Sequence, residues 1–146
     1  MSVDRKLSKY LCFAVYSANL AFGRAYKPLL DAAGVTYTQY ITLLALSEET
    51  GQTVKALGEK LFLESNTLTP ILKKLEAMGY IQRQRDPEDE RQVRVSLAPA
   101  GQHLLDTDLD ISLIDATGLG DEFPAVRQTV VRLRDNLLAN TPGKGD

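Results

Sequence analysis

The sequence predicts a fold that is mainly α with a small β-hairpin, a winged helix-turn-helix with flanking dimerisation helices. Three observations carry the prediction. Apolar residues recur at helical spacing through four successive segments up to Met78. Two short segments after them alternate polar and apolar residues on either side of a charged turn. Helical spacing then returns and holds to about Leu138.

The elements follow in order. Leu7, Leu11, Ala14, Val15, Ala18, Ala21, Phe22 and Ala25 set a helix over 7–33, which Pro28 is expected to kink and Gly34 to end. Thr38 is the expected N-cap of a second helix built on Ile41, Leu43, Leu44 and Leu46 and closed by Glu48-Glu49-Thr50-Gly51. Thr53 caps a short third helix, Val54 to Leu61, with Val54, Leu57 and Leu61 on one side. After a turn at Phe62-Leu63-Glu64, Ser65 opens a fourth helix running to about Met78, with Leu68, Ile71, Leu72 and Leu75 facing inward and Gly79 as its C-cap. Tyr80 to Arg85 and Gln92 to Leu97 read as the strands of a hairpin. Its tip is Asp86-Pro87-Glu88-Asp89-Glu90-Arg91, a turn with Pro at its second position. Residues 99–117 form one further helix on Leu104, Leu105, Leu109, Ile111, Leu113 and Ile114, and Gly118-Leu119-Gly120 breaks it. A last helix runs from about Glu122 to Leu138 on Phe123, Val126, Val130, Leu133 and Leu137. The Pro/Gly-rich tail from Thr141 to Asp146 is expected to fray.

The chain has 146 residues, of which 44% are apolar and 25% charged, which fits one globular domain and excludes a disordered or collagen-like chain. Its apolar runs are only a few residues long, so no transmembrane span is expected. Met1-Ser2-Val3-Asp4-Arg5-Lys6 leads into an amphipathic stretch without the apolar core and cleavage site of a signal peptide, so a cytoplasmic location is expected. One cysteine excludes an internal disulfide framework, and one histidine argues against a His-rich metal site. No metal and no cofactor is expected. A His-based acid–base enzyme would rest on His103 alone, which reads instead as a packing or interface residue.

Net charge is −2, but its distribution is uneven. Residues 65–85 carry four basic side chains (Lys73, Lys74, Arg83, Arg85) against one acidic, Glu76. Residues 86–146 carry six basic against twelve acidic. The acidic tail would repel a polyanion at long range, so nucleic-acid binding must come from a local patch close to the phosphates. The second helix of a helix-turn-helix pair is shaped to enter a major groove. Here its outward residues are Ser65, Asn66, Thr67 and Thr69, with Lys73 and Lys74 further along. Their hydroxyls can bond phosphates or base edges, and a helix N-terminus favours phosphate. The hairpin offers Arg91 at its tip and Arg83, Arg85 and Arg94 on its arms, and a tip arginine can reach a narrow minor groove. Asp89 could hold Arg91 extended through a charge-assisted pair. Each of these residues taken singly also fits an ordinary cap or a solvated face. Together they point to double-stranded DNA as partner. The domain reading is one module over 1–146, with 38–98 binding DNA and 1–37 and 99–146 dimerising.

The run Leu68-Thr69-Pro70-Ile71-Leu72-Lys73-Lys74-Leu75-Glu76-Ala77-Met78-Gly79-Tyr80-Ile81 resembles the recognition helix and strand entry of the MarR family of bacterial transcription regulators. Asp89-Glu90-Arg91-Gln92-Val93-Arg94-Val95-Ser96-Leu97-Ala98-Pro99-Ala100-Gly101 resembles its wing, an Asp-x-Arg followed by an alternating strand and a Gly. Ala98-Pro99 departs from the usual family pattern, so the cap of the fifth helix should differ. The resemblance spans nearly the whole chain. Leu11-Cys12-Phe13-Ala14-Val15-Tyr16, Tyr26-Lys27-Pro28-Leu29-Leu30-Asp31 and Val35-Thr36-Tyr37-Thr38-Gln39-Tyr40 further resemble the one-cysteine, organic-hydroperoxide-sensing repressors of that family. That resemblance implies a peroxide-reactive Cys12, with Tyr26 and Tyr37 of the other subunit touching its thiolate and Tyr16 one turn away.

Chemistry supplies its own reasons. The thiolate is the nucleophile toward an O–O bond, and Tyr hydroxyls or a helix N-terminus can stabilise its charge. Leu11, Phe13, Val15 and Phe22 would give it apolar surroundings suited to an organic hydroperoxide. Read without the resemblance, a lone cysteine fits an inert core residue at least as well. The first, fifth and sixth helices look too apolar for one small module to bury, so a C2 homodimer is expected, with recognition helices roughly 34 Å apart on a pseudo-palindromic operator. The resulting expectation is a repressor released when organic hydroperoxide oxidises Cys12, a small-molecule thiol then reacting because no second cysteine is present. Three rivals stand beside it: a repressor answering a non-covalent phenolic ligand, a thiol peroxidase, and a protein-interaction winged helix.

Overall fold

The computed structural model describes residues 3–142. The chain folds into two compact units, a larger one up to Asp110 and a smaller one from Ile111.

In the larger unit, Leu7–Lys9 form a 3₁₀ turn and Tyr10 is extended, so α1 spans Leu11–Ala33 rather than starting at residue 7. Apolar spacing alone does not register one extended residue between two turns. Gly34 closes α1 in the left-handed conformation, at φ 80°. α2 covers Tyr37–Ser47. Its N-cap is Thr36, not Thr38: Thr36 Oγ1 accepts from the Gln39 amide at 3.2 Å, and Gln39 Oε1 accepts from the Thr36 amide at 2.9 Å. This reciprocal capping box satisfies two donors at once, which Thr38 could not do without a Glu or Gln three residues on. Thr38 contributes its carbonyl to Thr42 Oγ1 instead.

β1 is only Gln52–Thr53, too short to show a period, and the sequence reading omits it. The Gln52 side chain is buried and donates to the Ala45 and Glu49 carbonyls, closing the end of α2. Thr53 caps α3, Val54–Leu61, as expected, accepting from the Ala56 amide at 3.1 Å. α4 spans Ser65–Ala77 with Glu64 as N-cap, so Ser65 is its first residue rather than its cap. β2 is Ile81–Arg85 and β3 is Val93–Leu97. The sheet is antiparallel in the order β1-β3-β2, with Gln52 opposite Val95 and Arg85 opposite Val93.

The core of this unit is the junction of α2, α3, α4 and the sheet. Leu43, Leu57, Leu68, Leu72, Leu75 and Val95 are fully buried there. Removing such side chains from water at about 25 cal/mol per Å² is what holds α4 against its support. α5, Pro99–Leu105, starts at Ala98 without a side-chain cap and with Pro at its first turn, as the departure at 98–99 implies. Gly101 lets it approach β2: a Cβ there would stand 2.3 Å from the Tyr80 carbonyl oxygen.

The single helix expected over 99–117 is two. α6, Leu109–Ala116, follows a break at Asp106-Thr107-Asp108. Thr107 Oγ1 turns back to the Leu104 carbonyl, the local competition by which Thr and Asp end helices. His103 is exposed rather than packed. In the smaller unit, the break at 118–120 is followed by a 3₁₀ turn over Gly120–Glu122 and by α7, Phe123–Ala139. None of the α7 side chains is fully buried. Residues 143–146 of the predicted frayed tail lie outside the described residues, while Thr141 still bonds the Leu137 carbonyl. No helix among the described residues is long and apolar enough to cross a membrane.

Candidate functional site

Two constellations lie in the larger unit. The first is the exposed face of α4 with the β2–β3 hairpin. Ser65, Asn66 and Thr67 are exposed on the first turn of α4, and Lys73 and Lys74 are exposed nearer its end. Thr69 is half-buried, and its hydroxyl donates to the Ser65 carbonyl at 2.7 Å. The inward leucines fix this face outward, because Leu68, Leu72 and Leu75 repeat at helical spacing and all three are buried.

The hairpin tip is knit by two carboxylates in series. Asp86 is nearly excluded from solvent, with 7% of its side chain exposed. It accepts from the Glu88 amide and from Arg94 Nε, each at 2.9 Å, and Arg94 Nη1 donates on to the Gly51 carbonyl at 2.7 Å. The tip is thereby tied to the turn before β1. Asp89 accepts from both the amide and Nε of Arg91, at 3.2 and 3.1 Å. The Arg91 side chain is 91% exposed, held out by one short ionic clamp. Arg85 donates to the Glu90 carbonyl. Arg83 does not stand out from the arm. It is three-quarters buried and paired with Glu76 of α4 at 3.0 Å, so its role is to lock the strand to the helix.

These bonds leave an electrostatic signature. Asp86 is held below the usual carboxylate range chiefly by the Glu88 amide and then by Arg94. Glu76 is lowered chiefly by its hydrogen bond from Arg83. The sequence alone reads Asp86 as a turn residue and Arg94 as a cation on the hairpin arm. An Asp opening a turn that continues with Pro is the available sign of a side chain bonded to its own turn.

The second constellation is on α1 and α2. Cys12 is exposed in the first turn of α1, and Tyr16, one turn further on, is 60% exposed with its ring 6.3 Å from that of Phe13. Tyr26 and Tyr37 are half-buried and face each other, ring centroids 5.7 Å apart. Burial, and for Tyr26 the neighbouring Tyr37, raises both phenols above their ordinary value, so both keep their protons and remain donors at neutral pH. At about 1.5 Å rise per residue, Tyr26 lies roughly 21 Å along α1 from Cys12 of the same chain. One chain cannot bring these phenols to its own thiol. Leu11 and Val15 around Cys12 are exposed, and Phe22 is at the edge of exposure, so a single chain does not supply an apolar enclosure either. Tyr40, next along α2, is buried and donates to Asp110, a partnership the sequence does not signal.

The chain is similar to known transcriptional regulators. The family model described as transcriptional regulator SarA/Rot matches residues 24–107. The HTH-type transcriptional regulator TtmR of Methylorubrum extorquens is 47% identical over 139 residues, covering 92% of this chain and 71% of that protein. The organic hydroperoxide resistance transcriptional regulator of Bacillus subtilis is 47% identical over 106 residues, covering 73% and 72%. Among solved structures, reduced AbfR bound to DNA matches with a TM-score of 0.74 at 34% identity, over 91% of this chain and 94% of that one; AbfR is a protein of Staphylococcus epidermidis.

Proposed function

The chain belongs to the SarA/Rot family of winged-helix, MarR-type transcriptional regulators, and from that premise we propose that it is a homodimeric, DNA-binding repressor switched by oxidation of Cys12. In this reading, α4 enters the major groove of an operator with Ser65, Asn66, Thr67 and Thr69 leading and Lys73 and Lys74 toward the phosphates. Arg91, clamped by Asp89, reaches the adjacent minor groove. Arg83 supports the wing through Glu76 rather than by contact.

The observation that carries the redox half is the separation of parts. An exposed thiol stands at the positive end of α1, and two protonated, facing phenols stand too far along the same chain to reach it. A two-fold partner is the direct way to bring them together, each chain lending Tyr26 and Tyr37 to the other's Cys12. The phenols would donate to the sulfur, and the helix dipole favours negative charge there. The thiolate then attacks one oxygen of an organic hydroperoxide. An S–O bond forms, the O–O bond breaks, and the alkoxide leaves and takes a proton to become the alcohol. Sulfur is oxidised to sulfenic acid as the peroxide is reduced. A small-molecule thiol condenses with the sulfenic acid, releasing water and leaving a mixed disulfide. That bulk at a packed seam would separate the phenols from sulfur and shift the recognition helices. Moving occupancy from 99:1 to 1:99 takes about 5.5 kcal/mol.

The test is Cys12→Ser, assayed on a duplex selected from a randomised pool by the reduced wild type. The variant should bind as the wild type does and stay bound when organic hydroperoxide and a small thiol are added. Release of the variant at the wild-type peroxide dose would remove the redox claim.

A second reading has its own support. Open clefts of about 300 and 210 Å³ share Asp31, Val35 and Thr36 where α1 meets α2, the larger reaching Lys74 of α4 and Met78 just past its end. A phenolic ligand bound there would act on the recognition helix directly, and release by such a ligand with Cys12 unmodified would favour that reading.

A further inference from the structure

The buried polar side chains of α2 settle their hydrogen bonds locally, with one exception. Gln39 accepts from the Thr36 amide, and Thr42 donates to the Thr38 carbonyl. Tyr40, only 4% exposed, instead donates its phenol to the carboxylate of Asp110, 70 residues further along the chain. Asp110 is the last residue of the larger unit, so the bond lies within that unit. It stands in the first turn of α6, where the helix field favours a carboxylate. A backbone carbonyl would have satisfied a buried phenol, but a charged acceptor makes a bond roughly twice as strong. Burial first, and then the bond to Asp110, hold the Tyr40 phenol well above its ordinary pKa, so at neutral pH it stays a donor.

What adjoins Tyr40 gives the pair a task. Tyr37 precedes it by three residues, on the same side of α2. Tyr26 of α1 packs its ring near that of Tyr37 and is close enough to Tyr40 to add to the rise of its pKa. Tyr37 is the first residue of α2, directly after the Thr36–Gln39 capping box. The turn that carries Tyr37 is therefore held at its start by that box and at its end by Asp110.

We propose that Asp110 is a positioning residue for the redox switch: through Tyr40 it fixes the first turn of α2, and so holds the Tyr37 phenol, with Tyr26 beside it, where the thiol of a second chain meets them. This rests on the reading of Cys12 given above and adds to it a residue that acts through another. Phenols that must donate to a sulfur on a separate chain work only in place, and a misplacement of about 1 Å can cost about a hundredfold in rate. A hydroxyl that swings away donates less to the thiolate. The thiol then ionises at higher pH and attacks more slowly at neutral pH.

The experiment follows the single thiol, Cys12, by intact mass. Its alkylation by iodoacetamide is read across pH, and its oxidation by tert-butyl hydroperoxide with a small thiol is timed near neutral pH. Tyr40→Phe, which keeps the ring and loses the donor, and Asp110→Ala should each raise the midpoint of the alkylation profile and slow oxidation about threefold to tenfold. Asp110→Asn keeps an acceptor oxygen and should recover most of the rate. The double variant Tyr40→Phe/Asp110→Ala should be no slower than the slower single one, because both remove the same bond. Leu72→Ala, loosened elsewhere in the core, should keep the wild-type midpoint. A wild-type profile and rate in both Tyr40→Phe and Asp110→Ala would overturn the proposal and leave the redox reading standing. An equal shift in Leu72→Ala would reduce the effect to general loosening and overturn it too, as would dissociation of the slowed variants to half the wild-type mass. A wild-type Cys12 inert to the hydroperoxide would instead remove the redox reading itself.

Discussion

Arg91 and Arg94 sit three residues apart in one hairpin and have opposite tasks. Arg94 is spent internally, between Asp86 and the Gly51 carbonyl, while Arg91 is presented to solvent. Arg91→Ala should weaken binding to the selected duplex roughly tenfold and reduce the salt slope by about one, measured by fluorescence anisotropy; unchanged affinity would remove the wing from the account. The internal ion pairs make a pH prediction. Asp86 and Glu76 titrate below their ordinary values in the folded chain. A group lowered on folding stabilises above its unfolded pKa, and that contribution vanishes as pH falls through the folded one. Thermal melts should therefore hold steady from about pH 7 to the usual carboxylate range and decline below it. Asp86→Asn with Glu76→Gln should flatten that acid limb, and an unaltered limb would contradict the assignment. At this scale the sequence was partly legible. The Asp89–Arg91 clamp follows from a two-residue spacing. The Arg83–Glu76 and Tyr40–Asp110 pairs join residues 7 and 70 positions apart and need the fold before they exist.

At the scale of elements, α4 is positioned by what lies beneath it. Leu72 is fully buried on its inner face. Leu72→Ala should cost about 2–5 kcal/mol in chemical denaturation and lower DNA affinity only as far as unfolding explains. Gly101→Ala should be more severe relative to its size, because the added methyl would meet the Tyr80 backbone rather than a side chain that can rotate. A melting temperature within a few degrees of wild type would show that α5 does not pack as described. The helices up to residue 77, the hairpin and the last helix were readable as elements, since leucines at three and four residue spacing and a charged turn between alternating strands are strong signals. Boundaries were readable where a side chain marks them, as at Thr53 and Gly34. They failed where tertiary bonds decide, as with the Thr36–Gln39 box and the two-residue β1, or where several weak helix formers cluster, as at 106–108.

At the scale of the whole molecule, the described chain leaves a good deal of apolar surface uncovered. Leu11, Val15 and Leu20 of α1 are exposed, and so are Val126, Val130, Leu137 and Leu138 of α7. Apolar stripes of that kind mark surfaces that another chain covers. Under the dimer reading, sedimentation should give twice the 16.1 kDa chain mass, and the melting temperature should rise with protein concentration. A monomer at micromolar concentration would leave Cys12 without its phenols and dismantle the switch. The decisive measurement joins chemistry to occupancy. Reduced protein bound to its selected duplex is titrated with organic hydroperoxide in the presence of a small thiol. Intact mass and bound fraction are read at each step. One thiol adduct per chain, at Cys12, should grow in step with release. Release from chains of unaltered mass, or full modification of Cys12 on chains that stay bound, would contradict it.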